Sequence, residues 1–331
     1  MMTKRQFWVW MRNFSAVGAI SMFALAFVAA QTNIDLMRLP VGDGNVTAFP
    51  QVGAVYNCDT EFNNNIGGAT AQGPWFNGDG TFDFTGKFPV DGAVSWPGEL
   101  TITVSGNTRI LDSNGLPSIH TTGTFPVARN DDAYQYDRNP NTIEAQDYLI
   151  ELPANPAVAA EPGCLNMSAI GMMLTGVVFF NAVDAQGRDA VAWETQDACE
   201  GHPEMTGEYH YHNLATCAAE SLGVVPDAGH SPLVGYAYDG FGLYGFYGDD
   251  GEAMTNDDLD ECHGHTHTVE WDGEMVEIYH YHATFEYPYT LGCYRGEPVV
   301  SSRSGPGGGQ GQRPPGGGSG NPPRPRPGGG G

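Results

Sequence analysis

Short runs of alternating apolar and polar residues fill the chain from Gln31 to Pro162, separated by glycine, asparagine and aspartate. "TFDFTGKFPV" (81–90) alternates. "GELTITVSGNTRIL" (98–111) does the same with "SGN" as its turn, and "DYLIEL" (147–152) is a third such run. A period of two puts alternate side chains on opposite faces, the signature of half-buried strands. "LPANPAVAAEPG" (152–163) then reads as a connector. Beyond Cys164 the runs become more apolar. "AIGMMLTGVVFFNAVD" (169–184), crowded with β-branched and aromatic residues in its second half, predicts a buried strand or strand pair. "PLVGYAYDGFGLYGFYG" (232–248), "MVEIYHYHATF" (275–285) and "YPYTLGCYRG" (287–296) are aromatic, glycine-punctuated and strand-like, while "NLATCAAESLG" (213–223) suits a short helix ending at Gly223. No segment sustains helical periodicity. The pattern predicts an all-β body, a predominantly antiparallel sandwich or distorted barrel, with one or two short helices.

The two ends depart from that pattern. Lys4, Arg5 and Arg12 precede the apolar run "AVGAISMFALAFVAA" (16–30), which closes in small residues. Its length is below the ~20 residues of a membrane span. It predicts a signal peptide over 1–30, cleaved near Ala30, and a secreted or periplasmic mature protein with no membrane span. From Ser301 to Gly331 the chain is Gly/Pro-rich with four arginines and no acid, which predicts a disordered C-terminal tail. That tail is either a flexible, weakly basic extension or a tether to acidic surfaces. The domain reading is therefore 1–30 signal peptide, 31–162 N-terminal β-rich region, 163–300 second domain and 301–331 tail.

Charge narrows the partners. All 39 acidic residues lie between the leader and the tail, against seven basic ones. A field of that sign repels nucleic acid and attracts cations, and it also suits solubility in a salty medium. The six cysteines all lie in the same body, and in an exported chain an even number favours disulfides. Spacing alone leaves the pairing open. Cys199–Cys217 and Cys262–Cys293 would each close a loop bordering histidines, leaving Cys58–Cys164.

The histidines carry the candidate chemistry. Tyr-His-Tyr-His occurs twice, at 209–212 and 279–282. In a strand, residues two apart share a face about 6–7 Å apart, so each copy offers two imidazoles on one face and two tyrosines on the other. "ECHGHTH" (261–267) adds a further array, so seven of ten histidines lie in His-x-His spacing, and with His202 and His230 nine lie between 202 and 282. The leading expectation is a transition-metal site, copper or zinc, formed by His210, His212, His280 and His282, with His263, His265 or His267 completing or replacing part of the set. Glu208, Asp260 or Glu261 would orient a ligand imidazole. The tyrosines Tyr209, Tyr211, Tyr279 and Tyr281 would pack into the core. A blue-copper centre does not fit, because the cysteines are better spent on disulfides. Calcium is a further candidate in the acidic loops that carry Asp239, Asp249, Asp250, Glu252, Asp257, Asp258, Asp260 and Glu261, although neither loop has EF-hand spacing. No G-x-S-x-G elbow, P-loop or dinucleotide-binding glycine pattern occurs.

The ordered set "GEYHYHN" (207–213), "GHSPLVGYAYDGFGLYG" (229–245), "DDLDECHGHTH" (257–267), "YHYHAT" (279–284) and "YPYTLGCYRG" (287–296) resembles the YHYH-domain proteins, a secreted group named for its tetrapeptide. The resemblance runs from about Cys164 to Gly296. It implies a domain over 163–300 in which these motifs matter, and it implies no particular reaction. Three functions remain open: a structural or carrier metal protein; a secreted metalloenzyme, hydrolase or copper oxidoreductase, with an open coordination position; and a metal-free adhesion or matrix module built on Tyr–His ladders.

Overall fold

Alternation becomes structure where a strand has one face to bury. In the computed structural model, which describes residues 34–62, 68–226, 228–299 and the backbone of 302–303, β5 (Leu100–Ser105) and β6 (Thr108–Ser113) form an antiparallel hairpin. Gly106 turns it with φ +62°, a conformation that favours glycine. β7 (Tyr148–Pro153) pairs with β6, and β18 (Ser302–Arg303) adds two residues at the edge of β7. One face of this sheet buries Leu111, Tyr148, Ile150 and Leu152. The expected signal peptide and the rest of the expected tail lie outside the described residues.

Two stretches differ from their sequence pattern. Thr81–Val90 alternates, yet only β4 (Thr81–Phe82) is a strand, paired with β1 (Leu39–Pro40). Asp83 Oδ1 accepts from the amides of Thr85 and Gly86 and winds the next residues into a 3-10 turn, a local side-chain bond competing with the sheet ladder. The stretch that reads as a connector contains β8 (Val158–Gly163), paired with β17 (Tyr294–Gly296). β2 (Val46–Thr47) and β3 (Val55–Tyr56) make a further small parallel pair. Residues on both sides of Pro162 share one apolar core, from Leu36 to Tyr294.

The centre of the molecule is an eight-stranded sheet in the order β11-β12-β10-β9-β13-β14-β16-β15. Its strands are β9 (Ala169–Met173), β10 (Val178–Phe180), β11 (Gly201–Pro203), β12 (Tyr209–Tyr211), β13 (Leu233–Ala237), β14 (Gly242–Tyr244), β15 (Gly264–Trp271) and β16 (Glu274–His282). The order is a palindrome of two matching halves. In each half an antiparallel hairpin (β9–β10, β13–β14) is followed by a second antiparallel pair (β11–β12, β15–β16). The strand carrying Tyr-His-Tyr-His then lies parallel to the second strand of the hairpin. The halves join through the antiparallel pair β9–β13, with Met172 opposite Tyr236. Antiparallel neighbours exchanged in this way are related by a twofold axis normal to the sheet, so corresponding residues keep the same face.

The matching reaches individual residues. Gly171 and Gly235 face neighbouring chain so closely that a Cβ would lie 2.3 Å from the Phe179 ring in one case and 2.8 Å from the Met172 carbonyl in the other. "DACEGH" (197–202) corresponds to "DECHGH" (260–265), and in both loops the residue after cysteine has positive φ, Glu200 at 60° and His263 at 72°. The disulfides are Cys199–Cys217, Cys262–Cys293 and Cys58–Cys164, so the first two anchor corresponding loops. Among the described residues helical structure is limited to single turns, including α1 (Ala190–Trp193) and α2 (Thr216–Ala219). The second continues through a 3-10 turn and stops at Gly223 with φ +83°.

Candidate metal centres

Each Tyr-His-Tyr-His segment divides its side chains between two faces, as its period requires. On one face Tyr209 donates to Asp197 Oδ2 at 2.9 Å, Tyr279 to Asp260 Oδ1 at 2.9 Å and Tyr281 to Asp239 Oδ2 at 2.5 Å. Tyr211 donates to Thr175 Oγ1 at 3.2 Å, and its hydroxyl also lies 2.5 Å from His120 Nε2. Burial, reinforced by the carboxylates, pushes the hydroxyls of Tyr209 and Tyr281 well above the ordinary tyrosine range, so the proton stays on the phenol. Asp197 and Asp260 also accept from the backbone. Asp197 takes the Cys199 amide at 2.8 Å, and Asp260 takes Cys262 and Gly264 at 2.9 and 3.1 Å. Tyrosine and aspartate thus clasp the loop that leads into β11 or β15 and fix where the next histidine emerges.

That histidine is His202 or His265. His202 sits directly opposite His210 across the β11–β12 pair, and His265 opposite His280 across β15–β16. A His-x-His strand and one cross-strand histidine therefore give three imidazoles on one face. In the first half, Nε2 of His212 lies 3.3 Å from Nε2 of His202 and 3.2 Å from Nε2 of His210. Glu194, at the C-terminal end of α1, completes the group: its Oε2 is 3.3 Å from His202 Nε2 and 3.1 Å from His212 Nε2. All three histidines are buried, and Phe180 stacks on His210 at 3.9 Å.

In the second half, His280 Nε2 is 3.1 Å from Nε2 of both His230 and His265, and His282 Nε2 is 3.2 Å from His230 Nε2. His280 and His282 are fully buried, whereas His230 and His265 are half-buried. Tyr244, in the position corresponding to Phe180, lies 4.7 Å from the His280 ring. β12 and β16 are separated by four strands, about 24 Å at ~4.8 Å per step. The two tetrapeptides thus contribute to two separate groups, with His210 and His212 in one and His280 and His282 in the other.

The tautomers of five imidazoles follow from backbone partners. A carbonyl only accepts, so Nδ1 donates in His210 to Glu208 O (3.1 Å), in His212 to Asn181 O (2.5 Å), in His280 to Ile278 O (3.1 Å), in His282 to Gly245 O (2.8 Å) and in His230 to Ser231 O (2.8 Å). The Nε2 lone pairs of neutral rings are thereby turned toward one another at hydrogen-bond distance with no proton between them. Burial first, then the neighbouring histidines, pushes His210 and His282 well below the ordinary imidazole range. Burial pushes His280 down to about 3. His230 and His265 are lowered chiefly by burial. In the first group burial pulls His202 down, and the charge of Glu194 more than offsets this, so its pKa is raised. Burial likewise works against the Glu194 carboxylate, and His202 and His212 overcome it, holding it well below the usual range.

Converging lone pairs repel unless a cation lies among them. Four donors at roughly 2.0–2.1 Å from a tetrahedral zinc lie about 3.3–3.4 Å apart, close to the observed 3.1–3.3 Å. Glu194 Oε2 is buried and faces the Nε2 atoms of His202 and His212, so its charge is turned into the histidine group. The donor sets, three imidazoles with a carboxylate and four imidazoles, suit zinc or copper, and within each histidine group all donor nitrogens lie within 4.8 Å of one another. A third group, His120 with Cys199 and Cys217, has its sulfurs committed to a disulfide.

The remaining candidates have other surroundings. His263 Nε2 bonds to Thr284 Oγ1 at 2.9 Å, outside both groups. His267 stacks on His230 at 5.8 Å and pairs with Asp249 at 2.9 Å. Among the acidic loops, Asp239 binds Tyr281 and the amides of Phe241, Arg295 and Gly296, and Asp258 caps Thr255. Asp250 accepts from the Glu252 amide, while Glu208 receives the Tyr148 hydroxyl. The Tyr-face hydroxyls bond to carboxylates, Thr175 and the Arg295 amide, and among the described residues His120 joins Tyr211 in the manner of a ladder. Glu194, His202 and His230 lie apart from the tetrapeptides in sequence. The repeated D-x-C-x-G-H string marks His202 as the counterpart of His265, whereas nothing local marks Glu194 or His230.

The fold and its site thus define a disulfide-bonded, all-β protein whose central sheet is internally duplicated and bears one histidine group per half. Residues 149–257 match the family model described as YHYH protein, in line with the resemblance carried by the tetrapeptide motifs. The matched segment holds the whole first group and His230, and ends before the second tetrapeptide. No curated protein and no solved structure matches the chain.

Proposed function

We propose that the protein binds two transition-metal ions, one per half of the duplicated sheet, in a structural or carrier role outside the cytoplasm. His202, His210, His212 and Glu194 hold the first ion, and His230, His265, His280 and His282 hold the second. The observation that carries this reading is the convergence of carbonyl-pinned imidazoles, whose lone pairs meet at 3.1–3.2 Å with no donor between them. The three disulfides and the leader-like N-terminal sequence support export. Among the described residues no helix is long and apolar enough to cross a membrane.

The test is elemental analysis of tag-free protein with paired variants. The wild type should carry two equivalents of zinc or copper, and H212A and H282A should each carry one. A metal-free wild type, or full metal content in the double variant, would sink the reading. The first site has four protein donors and no exposed face, which favours a structural ion there.

A further inference from the structure

The half-buried second group has a neighbour that the first lacks. His267 lies on the edge strand β15, two residues beyond His265 and on the same face. Its ring is stacked nearly parallel to His230 (5.8 Å, 8°) and sits 5.9 Å from His265. Asp249, whose side chain is 63 % exposed, pairs with His267 Nε2 at 2.9 Å. A carboxylate on Nε2 fixes the proton there and leaves the lone pair on Nδ1. That Nδ1 is buried and has no hydrogen-bond partner, which is costly for a polar atom unless something visits it. In the first half the corresponding strand β11 ends at Pro203, and the next residue is Glu204, which caps its own turn through Thr206.

We propose that His267, oriented by Asp249, is the transfer ligand through which a transition-metal cation enters and leaves the four-histidine group, while the first group keeps its ion. The exposed carboxylate draws a cation from solution, Nδ1 of His267 takes it with displacement of water, and the half-buried His230 and His265 receive it as it loses further water. Ligand exchange proceeds without redox change, and His230, His280 and His282 give up no proton because their Nδ1 atoms carry it to backbone carbonyls and their Nε2 lone pairs are free. His267 is a way station rather than a resident ligand. Its removal should slow arrival and departure alike and leave the equilibrium affinity unchanged. The inference rests on the two-ion reading above and adds direction and rate to it.

The experiment uses the full mature chain loaded with zinc and then challenged with excess of a chromogenic chelator. Wild-type protein should release one equivalent quickly and the second at least about a hundredfold more slowly. H267Q and D249N should slow the fast phase about tenfold or more, slow zinc uptake by the same factor and still bind two equivalents with unchanged Kd. H265Q, which removes a resident ligand, should instead weaken Kd at the second site. Unchanged rates in both H267Q and D249N overturn the inference while two bound equivalents leave the two-ion reading standing. A weakened Kd in H267Q overturns it as well, since His267 would then be a resident ligand. Wild-type protein that binds no zinc overturns both.

Discussion

The two halves of the central sheet share a topology, a cysteine-bearing loop, a tyrosine–aspartate clasp and a His-x-His strand, and they differ in how the fourth donor arrives. In the first half it is Glu194, delivered by α1, and the group is closed over. In the second it is His230, from the loop before β13, and two of the four imidazoles meet solvent. One scaffold thus gives a sealed charged site and an open neutral one. The scaffold fixes three donors by strand register, and the connection that supplies the fourth sets access and charge.

The sharpest way to break the comparison is at its carboxylate. E194Q should abolish metal retention at the first site and destabilise the loaded protein by roughly 3–5 kcal/mol, the cost of unpairing a buried charged group; denaturant titration with metal analysis checks both. Opening either loop disulfide should cost nearly the same, about 3 kcal/mol for Cys199–Cys217 and about 4 kcal/mol for Cys262–Cys293, since the loop entropy grows slowly over separations of 18 and 31 residues. A large inequality in urea midpoints would show that the halves are not energetically alike. G171A and G235A, at matched positions, should each cost about 1–3 kcal/mol through overpacking, with G171A the costlier because its Cβ would meet both the Phe179 ring and the Tyr236 carbonyl, the latter at 2.6 Å against 2.8 Å from Gly235 to the Met172 carbonyl.

The matched residues Glu200 and His263 should respond to pH in opposite directions. Burial pushes His263 down to about 3 from an unfolded value near 6.5. Stability from its neutral form is complete above about 6.5 and is lost as pH falls toward 3. H263N should remove about one proton from that slope, ~1.4 kcal/mol per pH unit. Burial pushes Glu200 up to about 7, so its contribution is complete below about 4.3 and is lost as pH rises through 7. E200Q should flatten that limb by less, because its side chain is only half-buried. Unfolding free energies of metal-free protein between pH 4 and 8 measure both. The smallest effect should come from Y244F, which deletes a bond to the Glu270 carbonyl at about 1 kcal/mol and makes the second group resemble the first.

Local periodicity carried much of this fold into the sequence. The division of Tyr-His-Tyr-His into two faces, the β5–β6 hairpin, β7 and the helix ending at Gly223 all follow from residues close together in the chain. The convergence of histidines does not. His210 meets His202 and His280 meets His265 because β11 and β15 lie beside the tetrapeptide strands, while four strands separate the tetrapeptides themselves. Strand order is set by long-range burial, which a tetrapeptide cannot encode. The alternation at Thr81–Val90 misleads for the converse reason, since one aspartate there outcompetes a ladder. The duplication itself is written in "DACEGH" and "DECHGH" and is visible to a search for internal repeats.

The pairing of β9 with β13 is in effect a subunit interface enclosed within one polypeptide. Each half presents the same edge to the other, as isologous partners do, and that edge is buried on both faces. Either half made alone would expose a fully apolar strand and seek a copy of itself through it. Cleavage in the loop between Gly223 and Leu233 should leave two fragments that stay together, a heterodimer carrying one histidine group from one piece and the second from the other, save for His230, which the cut position assigns.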